Sequence, residues 1–341
     1  MAMRRLLSLR ASLTPLAWVS LALALVGCGP GAARVATIAQ PIINGTTDDG
    51  DPNVMLFIAE DRAGGHASAC TASVVSPHVL LTAAHCIDPR EFANDMGVAP
   101  TSLTYFTYPG NTFNLIDFDQ SLLIPVKEVH FDPQFNPDPD VFSTLGHDVG
   151  IVILNDAATA APIPLNHTAL DSQLKGESLR VVGYGVTSGS DTTGTTAGTK
   201  RQVDIPVSSV TNLFVDFDDG SHGICEGDSG GPALQTIYGV ETIVGITAFG
   251  RMGCPVNQPQ SETRVDVYTT YIDGYIEQFD GTIPSGADLA GTDAGQVEHH
   301  GSGGCSLTTR ATPPTAFAWL VSLSALAFSL ARRRRVLKHV R

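Results

Sequence analysis

Two stretches of the sequence contain residues suited to nucleophilic catalysis. Residues 223–234 read GICEGDSGGPAL and place Ser229 directly after Asp228. A serine hydroxyl is a weak nucleophile unless a base removes its proton. His85, at the end of CTASVVSPHVLLTAAHC (70–86), is the obvious base because an imidazole accepts protons near neutral pH.

A third stretch supplies a carboxylate. Asp148 stands at the entrance of an apolar run, Val149 to Leu154, in GHDVGIVILND. This run is too hydrophobic for an exposed edge and predicts a buried strand. A carboxylate at the mouth of a buried strand needs a hydrogen-bond donor, and the imidazole N–H of His85 would serve.

The glycines around Ser229 predict a sharp turn. Gly227, Gly230 and Gly231 can adopt positive φ angles and let backbone N–H groups approach a reacting atom closely. Two such N–H groups would stabilise an oxyanion. The three stretches together therefore indicate acyl transfer.

Strands and cysteines must position these residues. The apolar run at 79–81 delivers His85 next to Cys86, and a bridge from Cys70 to Cys86 would stabilise that loop by roughly 3 kcal/mol. Six cysteines occur, and setting Cys28 and Cys305 aside as processing residues leaves four, which allow three pairings into two disulfides. The four are Cys70, Cys86, Cys225 and Cys254.

The composition favours a turn-rich β protein that does not bind nucleic acid. The 341 residues include 34 Gly and 21 Pro, and only 16% are charged. All 34 acidic residues lie within 42–304, whereas 11 of the 20 basic residues lie outside that range, so the segment has a net charge of −25. Phosphate contacts need Lys and Arg, so nucleic-acid binding is excluded.

The N-terminus predicts export. Residues 1–27 have a basic start and an apolar run, as in a signal peptide, and 28–41 would be a propeptide or tether. LVGC at 25–28 resembles a bacterial lipobox, which predicts lipidation of Cys28; cleavage without lipidation is the alternative.

The C-terminus predicts attachment to a membrane. Residues 281–304 have the composition of a flexible linker, and 305–341 contain Cys305, an apolar stretch and an arginine block. This order resembles the myxobacterial C-terminal sorting tail; a plain membrane anchor is the alternative. We expect an exported protein held at the cell surface or outer membrane, or released, with signal peptidase and sorting machinery as processing partners.

Three motifs resemble the catalytic motifs of the trypsin/chymotrypsin family of serine endopeptidases. They are TAAHC at 82–86, HDVGIVIL at 147–154 and CEGDSGGP at 225–232, in the family's order. The resemblance covers residues 42–280, the predicted peptidase domain, and implies an all-β fold of two packed six-stranded antiparallel barrels with a C-terminal helix. Apolar and aromatic residues at helical spacing from Tyr268 to Phe279 support that helix independently.

The resemblance also implies roles for individual residues. Ser229 would be the nucleophile, His85 the general base and then acid, and Asp148 the orienting carboxylate. The backbone N–H groups of Gly227 and Ser229 would form the oxyanion hole. It pairs Cys70 with Cys86 and Cys225 with Cys254, and it implies protein or peptide substrates with no cofactor or metal.

Asp228 has a separate implied role. In the family this aspartate forms a buried ion pair with a new α-amino group, which here would be that of Ile42 after cleavage of the chain. The residue before it is Pro41 rather than Arg or Lys, so the sequence does not identify the activating protease.

The implied specificity pocket lacks a negative charge. Gly223 lies where trypsin-like members have an aspartate, followed by Ile224, with Gln260 on another wall and Gly250 at the entrance. We therefore expect cleavage after apolar or small residues. A different register would bring Asp266 near the pocket.

One departure from the family concerns the support of Asp148. Ala248 stands where the family usually has a serine bonded to this aspartate, and the neighbouring Thr247 is a candidate to compensate. A competing interpretation of the whole chain is a non-catalytic surface binding protein or adhesin on the same scaffold. Such relatives generally lose a triad residue, whereas this sequence retains all three, which favours the peptidase.

Overall fold

The N-terminal half of the described chain forms a closed antiparallel β-barrel. The structure is a computed structural model and describes residues 42–63, 65–97, 99–114, 117–138, 146–250 and 253–284. The six barrel strands pair in the order β2-β3-β4-β7-β6-β5, and β5 closes the barrel on β2. They are β2 (Val54–Asp61), β3 (His66–Ser76), β4 (Val79–Thr82), β5 (Leu103–Tyr108), β6 (Ile124–Phe131) and β7 (Gly150–Leu154).

A second barrel follows in the C-terminal half. Its strands pair in the order β9-β10-β13-β12-β11-β8, and β8 pairs with β9 to close it, while β1 (Thr46–Thr47) adds to the edge of β9. The six barrel strands are β8 (Ser178–Gly183), β9 (Arg201–Val210), β10 (Phe214–Phe217), β11 (Pro232–Ile237), β12 (Val240–Phe249) and β13 (Gln260–Arg264). Two six-stranded antiparallel barrels confirm the predicted fold class.

The apolar sequence of the strands explains their positions. All residues of β4 (VLLT) and β7 (GIVIL) are buried, as expected for strands that are covered on both faces. One apolar cluster fills the first barrel and continues through Tyr184 and Ile246 of the second half. A separate cluster fills the second barrel and includes Ile42.

Among the described residues, two α-helices flank the barrels. Helix α1 (Pro89–Met96) begins after Asp88, whose side chain accepts a hydrogen bond from Arg90 N, and ends at Gly97 with φ 65°. Helix α2 (Thr269–Asp280) is the predicted C-terminal helix, and its buried face includes Ile272 and Ile276.

The last residue of α2 is bonded to the first barrel. The Asp280 carboxylate accepts hydrogen bonds from Ser76 Oγ at 2.5 Å and from the backbone N of His78 at 2.9 Å. The His78 ring Nδ1 lies 2.6 Å from its other oxygen. The end of α2 is thus held at the turn between β3 and β4.

The predictions for both termini fall outside the described residues. These are the signal peptide (1–27), the propeptide or tether (28–41) with Cys28, most of the linker (281–304) and the tail (305–341) with Cys305. Within the described ranges no helix is both long enough and apolar enough to cross a membrane.

Candidate active site

His85 and Asp148 are in direct contact where the first barrel faces the second. His85 lies in a 3₁₀ turn, Ala84–Cys86, directly after β4. Asp148 lies just before β7, which pairs with β4, so strand pairing brings the two residues together. The Asp148 carboxylate is fully buried and accepts hydrogen bonds from the His85 backbone N at 2.9 Å and from His85 Nδ1 at 2.8 Å.

This contact defines the chemistry of the imidazole. A carboxylate can only accept, so the proton of a neutral His85 ring is held on Nδ1 and Nε2 keeps its lone pair. The His85 side chain is 18% exposed, so the ring remains accessible to a reacting group. The pair can therefore act as a base oriented by a buried anion.

The residue before Asp148 is anchored from two sides. His147 has a φ of 67°, and its carbonyl accepts a hydrogen bond from Val149 N at 2.9 Å, which forms a tight turn around Asp148. Its backbone N donates to the Tyr268 hydroxyl at 2.9 Å, and its ring Nδ1 lies 3.1 Å from an Asp132 oxygen. These contacts fix the backbone that carries Asp148.

Ser229 lies beside the loop that carries His85. Its carbonyl accepts a hydrogen bond from Thr71 N on β3 at 2.8 Å and lies 3.6 Å from Cys86 Sγ. Cys86 is disulfide-bonded to Cys70, so this bridge fixes the histidine loop against β3. The structure thus brings Ser229 next to the His85 loop.

The Glu226–Gly227 peptide and the Asp228–Ser229 peptide are both oriented by hydrogen bonds. The Glu226 carbonyl accepts from Val186 N at 2.8 Å, and the Asp228 carbonyl accepts from Gly231 N at 2.9 Å. In a trans peptide the N–H points opposite to the C=O. The N–H groups of Gly227 and Ser229 therefore face away from these partners, and Gly227 reaches this geometry with a φ of 99°.

Thr71 has contacts at this site that its sequence context does not indicate. This residue is fully buried, and its hydroxyl donates to the Gly227 carbonyl at 2.9 Å while accepting from Tyr184 N at 3.1 Å. Contacts between distant segments are needed to see this, since CTASV reads as an ordinary strand.

Asp228 contacts neither His85 nor Asp148 through its carboxylate. Its two oxygens accept backbone hydrogen bonds from Gly185 N and Cys225 N, both at 2.8 Å. The carboxylate is fully buried, and this desolvation raises its pKa to about 7, although the two backbone bonds and the charge of Arg201 oppose the rise.

Ile42 lies in the core near this carboxylate's loop. Its side chain is fully buried, and its φ of 43° is unusual for a β-branched residue. The next residue, Ile43, forms an antiparallel bridge with Gly223. In the uncut chain Ile42 has a peptide nitrogen rather than an amine, so the expected ion pair with Asp228 requires cleavage.

A cavity of about 210 Å³ opens beside Ser229. Ile224 and Gly250 are among the residues that line it. The described residues that line it are Ile224, Cys225, Glu226, Ser229, Thr247, Ala248, Phe249, Gly250 and Cys254, and a disulfide joins Cys225 to Cys254.

The other two expected pocket residues do not line this cavity. Gln260 is 2% exposed, and its amide bonds to both the N and the O of Ile224, at 2.9 and 3.0 Å. A Cβ atom on Gly223 would lie only 2.5 Å from Gln260 Oε1. Gln260 therefore covers Gly223, which corrects the expectation that Gln260 forms a side wall.

Two alternatives that the sequence left open are not seen in the structure. The Thr247 hydroxyl donates to Glu262 Oε1 at 3.2 Å, so it does not replace the serine lost at Ala248. Asp266 does not approach the cavity, because its carboxylate accepts from Arg264 and from Leu170 N.

Glu262 is a second buried carboxyl group near the cavity. It is fully buried on β13, and Oε2 has no hydrogen-bond partner among the described residues. Desolvation raises its pKa to about 8, and the charge of Asp228 acts in the same direction.

A group of potential metal ligands occurs at the histidine loop. It consists of Cys70, His85 and Cys86. Both cysteines are consumed by their disulfide, so neither can supply the thiolate that a metal would need.

Comparison with known protein families identifies the family to which this chain belongs. The Trypsin family model matches residues 44–272, which is more than half of the chain. The chain belongs to the trypsin family. The matched range of this trypsin-family protein includes His85, Asp148 and Ser229.

Individual relatives agree with this membership. The chain is 31% identical over 221 residues to Trypsin Tyr p 3.0101 of Tyrophagus putrescentiae, covering 60% of this chain and 70% of that protein. It is 30% identical over 222 residues to Brachyurin of Leptuca pugilator, covering 60% and 85%. It is 26% identical over 237 residues to Chymotrypsin-like elastase family member 1 of Macaca fascicularis, covering 62% and 80%. The trypsin-family protein is accordingly a serine endopeptidase.

Proposed function

We propose that Ser229, His85 and Asp148 form the catalytic triad of this endopeptidase. The observation that carries the proposal is the buried Asp148 carboxylate bonded to His85 Nδ1 at 2.8 Å, beside the Ser229 loop. His85 Nε2 takes the Ser229 Oγ proton as Oγ attacks the substrate carbonyl carbon. The same proton then passes to the leaving amine, which leaves an acyl-enzyme that water hydrolyses by the reverse sequence.

The N–H groups of Gly227 and Ser229 donate hydrogen bonds that stabilise the negative charge developing on the substrate carbonyl oxygen. The hydrogen bonds accepted by the Glu226 and Asp228 carbonyls support this role. Because each carbonyl points toward its donor, the N–H group of the same peptide points the opposite way. Two preorganised donors of this kind stabilise a tetrahedral intermediate more than its planar precursor.

Active-site labelling tests the triad. A fluorophosphonate probe should modify Ser229 in the processed protein, and the S229A variant should not react. Asp148→Asn should slow labelling by several orders of magnitude, since it favours the wrong histidine tautomer. Absence of a Ser229 adduct in folded, processed protein would instead favour the non-catalytic binding protein or adhesin.

Cleavage between Pro41 and Ile42 is the proposed activation step. Ile42 is buried with a φ of 43°, a conformation disfavoured for a β-branched residue that release from Pro41 would relax. The new ammonium group would also give Asp228 a cationic partner, which the raised pKa of this buried carboxyl indicates it needs. N-terminal sequencing of fully active protein should give Ile42; a start well upstream would refute this step.

The proposed specificity is for a non-basic residue at the cleaved bond. Among the described residues that line the cavity, Glu226 is the one that carries a charge, and it is exposed, where solvent screens its charge. Gln260 packs against Gly223, and neither residue lines the cavity. In a peptide panel, substrates with small or apolar residues should be cleaved fastest, and a strong preference for Arg or Lys would contradict the assignment.

Export and attachment at the cell surface complete the proposal. They rest on the lipobox-like LVGC at 25–28 and on the apolar stretch and arginine block of residues 305–341. Signal peptidase and sorting machinery would then be the processing partners. Mass spectrometry of both mature termini tests this directly: an unmodified Cys28 or an intact tail in surface-bound protein would contradict lipidation or sorting, respectively.

A further inference from the structure

Thr71 joins three parts of the molecule through one buried side chain. It belongs to β3 of the first barrel, whereas its hydroxyl bonds to Tyr184 and Gly227 of the second half. The one hydroxyl proton is donated to the Gly227 carbonyl, and a lone pair accepts the Tyr184 N–H, so the hydrogen-bonding roles are consistent. The backbone N of Thr71 also donates to the Ser229 carbonyl.

The two segments held by this hydroxyl are those that shape the oxyanion site. Gly227 supplies one proposed N–H donor. Tyr184 precedes Gly185, whose N–H binds the Asp228 carboxylate, and Val186, whose N–H orients the Glu226 carbonyl. Displacement of either segment would therefore turn the Gly227 N–H away from the reacting oxygen.

The first barrel provides a rigid support for these contacts. Thr71 is fully buried, and its carbonyl accepts a hydrogen bond from Thr82 Oγ1 at 2.8 Å. Residues 70–76 of its strand are all buried. Loops are less rigid than packed strands, so a hydroxyl on a strand fixes a functional loop more precisely than another loop residue would.

We infer that the Thr71 hydroxyl is a positioning group for the oxyanion hole: it ties Gly227 and the Tyr184 segment to β3 and keeps the Gly227 N–H aimed at the substrate oxygen. It does not touch the substrate. This inference rests on the proposed function, because it assigns the support of the donor that the proposed mechanism uses.

A threonine-to-valine pair tests the inference. Thr71→Val keeps the side-chain shape but removes the hydroxyl. Thr107→Val is the matched control, because Thr107 is also fully buried in the first barrel and its hydroxyl has no hydrogen-bond partner among the described residues. Thr71→Ser retains the hydroxyl and serves as the conservative rescue.

The readouts separate positioning from folding. For T71V we expect kcat to fall by about 10- to 100-fold with KM nearly unchanged, since a misdirected donor is lost in the transition state rather than in the ground state. The affinity for a peptide trifluoromethyl ketone, which forms an oxyanion on Ser229, should fall by the same factor. T107V and T71S should stay within about threefold of the wild type in both measurements.

Specific outcomes would overturn the inference. It fails if T71V matches T107V in kcat and in ketone affinity, or if T71S is as impaired as T71V, because packing would then be the cause. If the wild-type protein itself does not react with fluorophosphonate, the proposed function and this inference fall together. If the wild type reacts and T71V reacts equally fast, only the inference falls.

Discussion

The backbone N–H of His147 donates to the hydroxyl of Tyr268 at 2.9 Å. Tyr268 is the residue directly before helix α2, and His147 directly precedes Asp148. The backbone next to Asp148 is therefore linked through one hydrogen bond to the start of the C-terminal helix. This link matters more here because Ala248 provides no hydroxyl for Asp148.

Removal of that hydroxyl should weaken catalysis. In Tyr268→Phe the His147 N–H loses its acceptor, the turn around Asp148 loosens, and kcat should fall by about tenfold, as expected when a catalytic group shifts by a fraction of an ångström. Steady-state kinetics on the best peptide of the panel measures this. Tyr238→Phe is the control, because Tyr238 is fully exposed at a hairpin turn. Equal kcat values for Y268F and Y238F would contradict the assignment.

The second support of His147 should behave similarly. Asp132→Asn replaces the carboxylate that lies 3.1 Å from His147 Nδ1 and should lower kcat severalfold. Asp273→Asn is a matched control, since Asp273 lies 3.0 Å from His167 Nε2 in a His–Asp pair on α2 outside the proposed site. A D132N enzyme as fast as D273N would refute this role.

Glu262 should make the stability of the fold depend on pH. Burial raises its folded pKa to about 8, so the folded state favours the neutral form. Its contribution to stability is present below the pKa of the unfolded chain and is lost as pH rises through about 8. In Glu262→Gln this loss is removed, so the melting temperature of E262Q relative to wild type should be higher at pH 8.5 than at pH 5. A melting-temperature difference between the two proteins that is the same at both pH values would contradict the prediction.

Conversion to trypsin-like specificity should require two substitutions. Gly223→Asp alone places a Cβ atom 2.5 Å from Gln260 Oε1, so the new side chain must displace the Gln260 amide from its two hydrogen bonds to Ile224. Gly223→Asp combined with Gln260→Gly removes the obstruction and should create measurable cleavage after Arg, whereas either single variant should not. The peptide panel used for the wild type measures this. Cleavage after Arg by G223D alone would show that Gln260 does not obstruct the site.

The elements and motifs that could be predicted from the sequence are those whose pattern lies in residues close together in the chain. Helix α2 was predicted from helical spacing and observed at Thr269–Asp280. The strand before His85 and the strand after Asp148 were predicted from apolar runs, and pairing of β4 with β7 is what brings the two residues together. The resemblance to one family then supplied the barrel topology, which residue patterns alone do not specify.

The rest depended on contacts between residues far apart in sequence. Gln260 and Glu262 alternate along β13 in a polar stretch, QSETR, that reads as an exposed strand, yet both are buried. All five residues of β13 are buried, so both of its faces are covered, which a polar sequence does not indicate. Thr71 and Tyr268 were missed for the same reason, since each acts through a partner more than 100 residues away.

The attachment of Asp280 has a mechanical consequence. Its carboxylate bonds to Ser76 and His78 at the turn between β3 and β4, only four residues before the described chain ends at residue 284. Tension applied from the C-terminal side would therefore be carried by the first barrel at this turn. Tyr268, at the opposite end of α2, would be shielded from that load, so the geometry around Asp148 would persist while the protein is pulled from its C-terminal side.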